Sequence, residues 1–189
     1  MLTHFTIDKQ THLINGVTHS LSPNCDQRPD ANDISLLVIH GISLPPGQFG
    51  GDAITDLFLN RLNPSADPSF AALLNLQVAA HVLIRRDGEV IQYVPFHLRA
   101  WHAGQSNFQG RERCNDFSIG IELEGTDTVP YTTTQYEVLA KLTRALLDNY
   151  PITLDRIVGH SDIAPGRKTD PGPAFRWDYY RQLLSKENI

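Results

Sequence analysis

A chain of 189 residues with net charge −5, 41% hydrophobic and 20% charged residues is sized and composed as one soluble domain able to bury its own core. The acidic balance argues against a nucleic-acid binder, which would carry a basic excess, and no apolar run approaches the ~18 residues needed to cross a membrane. Only two cysteines occur, Cys25 and Cys114, outside any CxxC pair, so both are expected to be ordinary reduced residues. The opening Met1–Gln10 has neither a basic n-region nor a continuous apolar h-region, which makes the cytoplasm the expected address.

Residues 1–24 read as an irregular N-terminal segment and residues 25–189 as one folded unit. Ser35 to His40 is predicted to be a short buried strand, and the Gly- and Pro-rich stretch Ser43–Gly51 a loop. A modest helix is expected from about Asp52 to Leu59 and a second helical patch near Pro68 to Leu74. Val78–Arg86 and Glu89–Pro95 read as two strands joined by Asp87-Gly88, a strong hairpin signal. Phe117–Glu124 alternates: Phe117, Ile119, Ile121 and Leu123 take one face, and Ser118, Gly120, Glu122 and Glu124 the other. The clearest helix runs from Thr134 to Asn149, with Thr134 and Glu137 as a capping box, Leu139, Leu142 and Leu146 at helical spacing, and Pro151 as its stop. A strand over Asp155–His160 and a helix over Trp177–Leu184 complete the reading. Mixed strands and helices without an internal repeat give a single α/β domain, a central mixed β-sheet flanked by helices. A monomer is the expected state, although nothing in the residues fixes it.

Three residues are positioned as ligands for a catalytic zinc. His40 closes the apolar run Leu36–Ile39, His160 closes Ile157–Gly159, and Asp170 follows ten residues later across a Pro-rich loop. Zinc takes imidazole nitrogen and carboxylate oxygen, and three protein ligands leave a position open for water. A histidine ending a strand is more often structural, so spacing alone does not decide the matter. Lys168, two residues before Asp170, could offset the oxyanion that forms when water attacks a carbonyl. Glu122 is a candidate general acid/base, with Glu124 on the same strand face as its competitor, and spacing does not choose between them. In Trp101-His102-Ala103-Gly104 an aromatic face could pack on a sugar, although a core tryptophan and a hydrogen-bonded structural histidine are the plainer readings. His81 likewise reads as an interior residue rather than a fourth ligand.

The phrases Val38–Gly47, Phe49–Gly51, Trp101–Gly104, Gly110–Gly125, Gly159-His160 and Lys168–Pro173 resemble the zinc-dependent N-acetylmuramoyl-L-alanine amidases, most of all their cytoplasmic branch acting on 1,6-anhydro-muropeptides. The similarity runs from about Cys25 to Trp177, so residues 25–189 would form the catalytic domain. It implies a fold shared with T7-type lysozyme and peptidoglycan recognition proteins. It also implies zinc on His40, His160 and Asp170, Glu122 rather than Glu124 as the acid/base, and assistance from Lys168. The implied reaction cleaves the amide between the muramyl lactyl group and L-alanine in recycled wall fragments, and its loss would induce a chromosomal β-lactamase. Trp101, Ala103 and Arg113 would lie near saccharide and peptide. Gly41 and Gln77 depart from the family's usual Asn and Arg, which bears on substrate contacts rather than on the metal. An exported amidase, a non-catalytic recognition module and a structural zinc protein stand as alternatives. The missing export signal, the five retained residues and the lack of a fourth ligand weigh against them in turn.

Overall fold

The computed structural model describes residues 4–185, so the first three and last four residues of the two expected segments lie outside the description. Among the described residues the strands are β1 (Thr18–His19), β2 (Cys25–Gln27), β3 (Leu36–Ile42), β4 (Val82–Ile84), β5 (Val90–Gln92), β6 (Leu98–Ala100), β7 (Asn107–Phe108), β8 (Arg111–Glu112), β9 (Ser118–Glu124) and β10 (Ile157–Gly159). The helices are α1 (Ala53–Phe58), α2 (Thr133–Asn149), α3 (His160–Ile163) and α4 (Trp177–Ser185). The main sheet has the order β1-β5-β4-β9-β3-β10, with β4 and β5 antiparallel and every other pairing parallel. This is the mixed sheet expected from sequence. Its two longest strands, β3 and β9, are also central.

Side-chain alternation divides these strands between two cores. Leu37 and Ile39 of β3, with Ile119, Ile121 and Leu123 of β9, pack beneath α2 through Val138, Leu139, Leu142 and Leu146. α4 adds Tyr180, whose hydroxyl meets Thr143 of α2 at 2.7 Å. Each leucine buried here contributes on the order of 1.5–3 kcal/mol. On the opposite face Leu36 and Val38 join Ala103, Cys114, Phe117 and Ile163, so this side is covered too. Phe117, expected on the face of Ile119, instead ends the 3-10 turn Cys114–Asp116 ahead of β9 and so escapes the strand's alternation. Cys25 and Cys114 are both free thiols.

Several boundaries differ from the sequence reading. The hairpin ladder covers only Val82–Ile84 against Val90–Gln92, around Asp87-Gly88 with Gly88 at φ 91°. Upstream of it the backbone turns to other partners: Ala79 N donates to the Trp101 oxygen, and His81 N to the Gly120 oxygen. Part of the segment expected to be irregular is ordered into the sheet. β1 pairs with β5, and Ile14 is fully buried. Strands of two or three residues show no periodicity, which is why β1, β2, β6, β7 and β8 do not stand out in the sequence. Asp155 lies in a 3-10 turn rather than a strand, and His160 opens α3.

The capping box at the start of α2 is Thr132 with Gln135, not Thr134 with Glu137. Thr132 is extended (φ −76°, ψ 154°), as an N-cap requires, and its hydroxyl accepts from Gln135 N at 3.1 Å while donating to the Arg86 oxygen at 2.8 Å. The Gln135 amide, fully buried, donates to the carbonyls of Ile84 and Glu124, which a glutamate there could not do. Thr132→Ala is therefore expected to cost about 1–2 kcal/mol in a chemical denaturation midpoint. Thr134→Ala should stay within about 0.5 kcal/mol. Equal losses would remove the cap from Thr132.

Candidate metal centre

The site lies at the carboxyl ends of three parallel strands, where open α/β sheets characteristically bind ligands. His40 is near the end of β3, Glu122 is its direct partner in β9, and His160 follows β10. α3 turns the chain into the loop that returns to Asp170, and Ser161 N donates to the Asp170 carbonyl at 3.0 Å, fastening that loop to the helix.

His40 Nδ1, His160 Nδ1 and Asp170 Oδ2 form a triangle with sides of 3.0, 3.2 and 3.1 Å. All three residues are at least partly buried and could hold one metal ion. Tetrahedral ligands about 2.0–2.1 Å from a zinc ion stand roughly 3.3 Å from one another, so the spacing fits with little adjustment. The chemistry fits as well. Burial pushes His40 down to about 4, so its imidazole is neutral at neutral pH and one ring nitrogen can offer a lone pair. Burial raises the Asp170 carboxyl, but hydrogen bonds to His160 and His40 outweigh it and hold the group below the usual carboxylate range.

Glu122 and Glu124 share a strand face and differ in everything else. Glu124 is engaged: its carboxylate accepts from Gly50 N at 2.6 Å and Arg86 N at 3.2 Å, with Arg85 at 3.6 Å. Glu122 Oε2 is buried without any hydrogen-bond partner. Burial, reinforced by the Asp170 charge and only partly offset by Lys168, raises the Glu122 carboxyl well above its ordinary range. An unpaired buried carboxyl beside a cluster of metal-binding groups can exchange a proton and has no visible structural duty.

These groups open into one cavity of about 550 Å³. Glu122, His160, Lys168 and Asp170 are among its polar lining residues, and Leu44, Phe58, Leu73 and Val78 among its apolar ones. Trp101 lines it and is half-buried. Ala103 does not line it: the residue is fully buried, its N–H bonded to Asn115 Oδ1 at 2.8 Å. Arg113 borders an adjoining depression with Gln105, Glu112 and Arg167, where it is exposed and pairs with Asp116 at 3.3 Å. Gly41 and Gln77 both border the cavity. A Cβ on Gly41 would fall 2.2 Å from the Tyr131 hydroxyl, which donates to the Pro171 oxygen at 2.9 Å, so a side chain there displaces a fastening of the Asp170 loop. His102, read from sequence as a satisfied histidine, meets His40 across 2.9 Å. Asn115 and Arg167 carry no sequence signal of their own, yet both hold the Trp101–Gly104 segment through its backbone.

A family model of N-acetylmuramoyl-L-alanine amidase matches residues 30–173. The chain is 63% identical to 1,6-anhydro-N-acetylmuramyl-L-alanine amidase AmpD of Escherichia coli (strain K12) over 166 residues, 88% of this chain and 91% of that one. A crystal structure of a selenomethionine derivative of AmpD superposes with a TM-score of 0.92 at 55% identity, covering 98% of this chain and 100% of the other. The N-acetylmuramyl-L-alanine amidase AmiD from E. coli, in complex with anhydro-N-acetylmuramic acid-L-Ala-D-γ-Glu-L-Lys, gives a TM-score of 0.59 at 34% identity, covering 80% of this chain and 57% of that chain. A match through most of the length, with the cavity framed by the same strands that carry the matched phrases, makes the chain a member of the N-acetylmuramoyl-L-alanine amidase family.

Proposed function

We propose that this protein is a zinc amidase that hydrolyses the amide between 1,6-anhydro-N-acetylmuramic acid and L-alanine in muropeptides released during peptidoglycan recycling. The observation that carries the reading is the convergence of His40, His160 and Asp170 beside the unpartnered carboxyl of Glu122, within a chain of this family. The substrate class is supported by the identity to AmpD and by the anhydro-muramyl peptide bound to AmiD. The protein would work as a monomer in the cytoplasm on a small soluble substrate; independence of nucleic acid accords with the net charge of −5, and among the described residues no helix is long and apolar enough to cross a membrane.

His40, His160 and Asp170 would hold the ion, leaving one coordination position open. Zinc, when bound, supplies Lewis-acid polarisation and lowers the pKa of water. Glu122 takes the proton of the attacking water and returns it to the amine nitrogen of the departing L-alanine, two steps that one carboxyl can perform in sequence. The Lys168 ammonium offsets the charge that develops on the carbonyl oxygen. Trp101 offers a flat face to the sugar, while Ala103 acts through its backbone and Arg113 stands where it could meet the distal peptide. The principal test is incubation with anhydro-MurNAc-tripeptide, with and without a chelator. Free tripeptide is expected only in the metal-loaded sample, and no release from a zinc-loaded protein would overturn the function.

Purified protein should carry about one zinc per chain, and His160→Ala should lose metal and activity together. Full zinc occupancy in that variant would remove His160 from the ligand set.

Glu122→Gln should keep zinc while activity falls by roughly 10²–10⁴, whereas Glu124→Ala should act mainly through stability, by releasing Gly50 and Arg86. The elevated Glu122 carboxyl carries a sign. Folded protein retains a proton that the unfolded chain gives up above its ordinary range, so this group subtracts stability as pH rises from about 4.5 towards its folded value. In metal-free protein, Glu122→Gln should therefore melt higher than wild type, by a margin that widens as pH rises above the ordinary carboxylate range. A margin constant with pH would contradict the protonated state.

Lys168→Ala should lower kcat by about 10²–10³ with a smaller change in KM, because the charge it meets exists mainly in the transition state. A raised KM with unchanged kcat would make Lys168 a binding residue.

A further inference from the structure

An imidazole that presents Nδ1 to a cation carries its proton on Nε2, and a buried Nε2–H must find an acceptor. One tetrapeptide stands opposite both. His160 Nε2 lies 3.3 Å from the Ala103 oxygen, and His40 Nε2 lies 2.9 Å from His102 Nδ1. The direction of the second bond follows from atom to atom. With the proton on His40 Nε2, His102 accepts at Nδ1 and holds its own proton on Nε2, where Ser118 Oγ stands 3.1 Å away to receive it.

The segment is itself pinned. Asn115 Oδ1 accepts from the N–H groups of His102 at 3.1 Å and Ala103 at 2.8 Å, and Arg167 donates to the Ala103 oxygen at 2.6 Å. Space for the His102 ring is provided within the central strand: a Cβ on Gly120 would stand 2.5 Å from His102 Nδ1. Any other residue in the middle of β9 would push the ring off His40. The His102 side chain is thus built into the sheet face, on the side of His40 away from Asp170.

We propose that His102 is a positioning residue for the cation site: its Nδ1 fixes the tautomer and ring orientation of His40, and Ser118 fixes His102 in turn. The proposal rests on reading His40, His160 and Asp170 as the ligands, and it gives the Trp101–Gly104 motif a role in metal retention distinct from any contact with sugar.

Zinc affinity, measured by competition with a chromophoric chelator on the full chain, tests it, with melting temperatures of the metal-free proteins alongside. Outer partners of metal ligands are typically worth about 10–100-fold in affinity, the weakening expected for His102→Ala. His102→Asn, whose Oδ1 falls near the position of Nδ1, should recover most of that loss. His102→Gln, whose oxygen reaches instead towards the position of Nε2, should not. A packing role would not rank the two amides in this way, since both partly fill the space. Ser118→Ala leaves the ring in place and should weaken zinc less than His102→Ala, which keeps the test open if His102→Ala fails to fold. Wild-type affinity in Ser118→Ala and in every folded His102 variant, beside a collapse in His40→Ala, overturns the positioning role and leaves the ligand set standing. Equal affinities for the Asn and Gln variants also overturn it. Wild-type affinity in His40→Ala removes the ligand set and this role together.

Discussion

In-register parallel pairing of β3 with β9 is the constraint from which the rest of the site follows. It places Val38 beside Gly120, His40 beside Glu122 and Ile42 beside Glu124. Because side chains alternate with a period of two, a slip of one residue would turn His40 into the core beneath α2 and set Gly41 or Ile39 opposite Glu122. The aliphatic positions between the site residues prevent that slip. Leu37, Ile39, Ile119, Ile121 and Leu123 must stay under α2, and by doing so they hold the imidazole and the carboxyl on the other face. The hydrophobic core and the pairing of His40 with Glu122 are specified by the same two strands.

Two carboxyls on one face of β9 meet opposite fates over a distance of two residues. Glu124 reaches the end of the strand, where the loop at Gly50 and the turn at Arg86 present N–H groups to it. Glu122, one pleat further in, meets burial and a neighbouring carboxylate. A buried charge without partners is costly, so the ionised form is disfavoured there. The contrast is one of donors rather than depth, since both side chains are largely withdrawn from solvent. A cation among His40, His160 and Asp170 would reverse the balance at Glu122 by supplying the positive charge that the backbone supplies to Glu124.

The sequence made the chemistry more legible than the framework. His40 and His160 could be read because each closes an apolar run, and an apolar run names the strand that positions it, while Asp170 was reached through the loop that follows His160. α2 was visible through its leucine spacing, but its first turn was not, since three consecutive threonines offer three equivalent caps and only the neighbouring carbonyls of Ile84 and Glu124 select Thr132 with Gln135. The choice between Glu122 and Glu124 was closed to the residues alone for the same reason. It depends on donors from residues 50 and 86, which are remote in the chain. The short strands β1 and β2 are held by pairing with β5 and β6 rather than by any preference of their own. Asn115 and Arg167 act through backbone groups of another segment, a relation that leaves no trace in spacing.

Two of the three candidate metal-binding groups hang from an edge of the sheet. β10 is three residues long, lies at the edge and pairs only with β3, and both His160 and the loop to Asp170 depend on it. The third group belongs to a strand enclosed on both sides. Native proteins open locally at their frayed margins far more often than they unfold as a whole. A cation held here would therefore exchange on the timescale of β10 detaching from β3, with His40 left standing on an intact sheet. Metal turnover and global denaturation would then be, in this architecture, separate clocks.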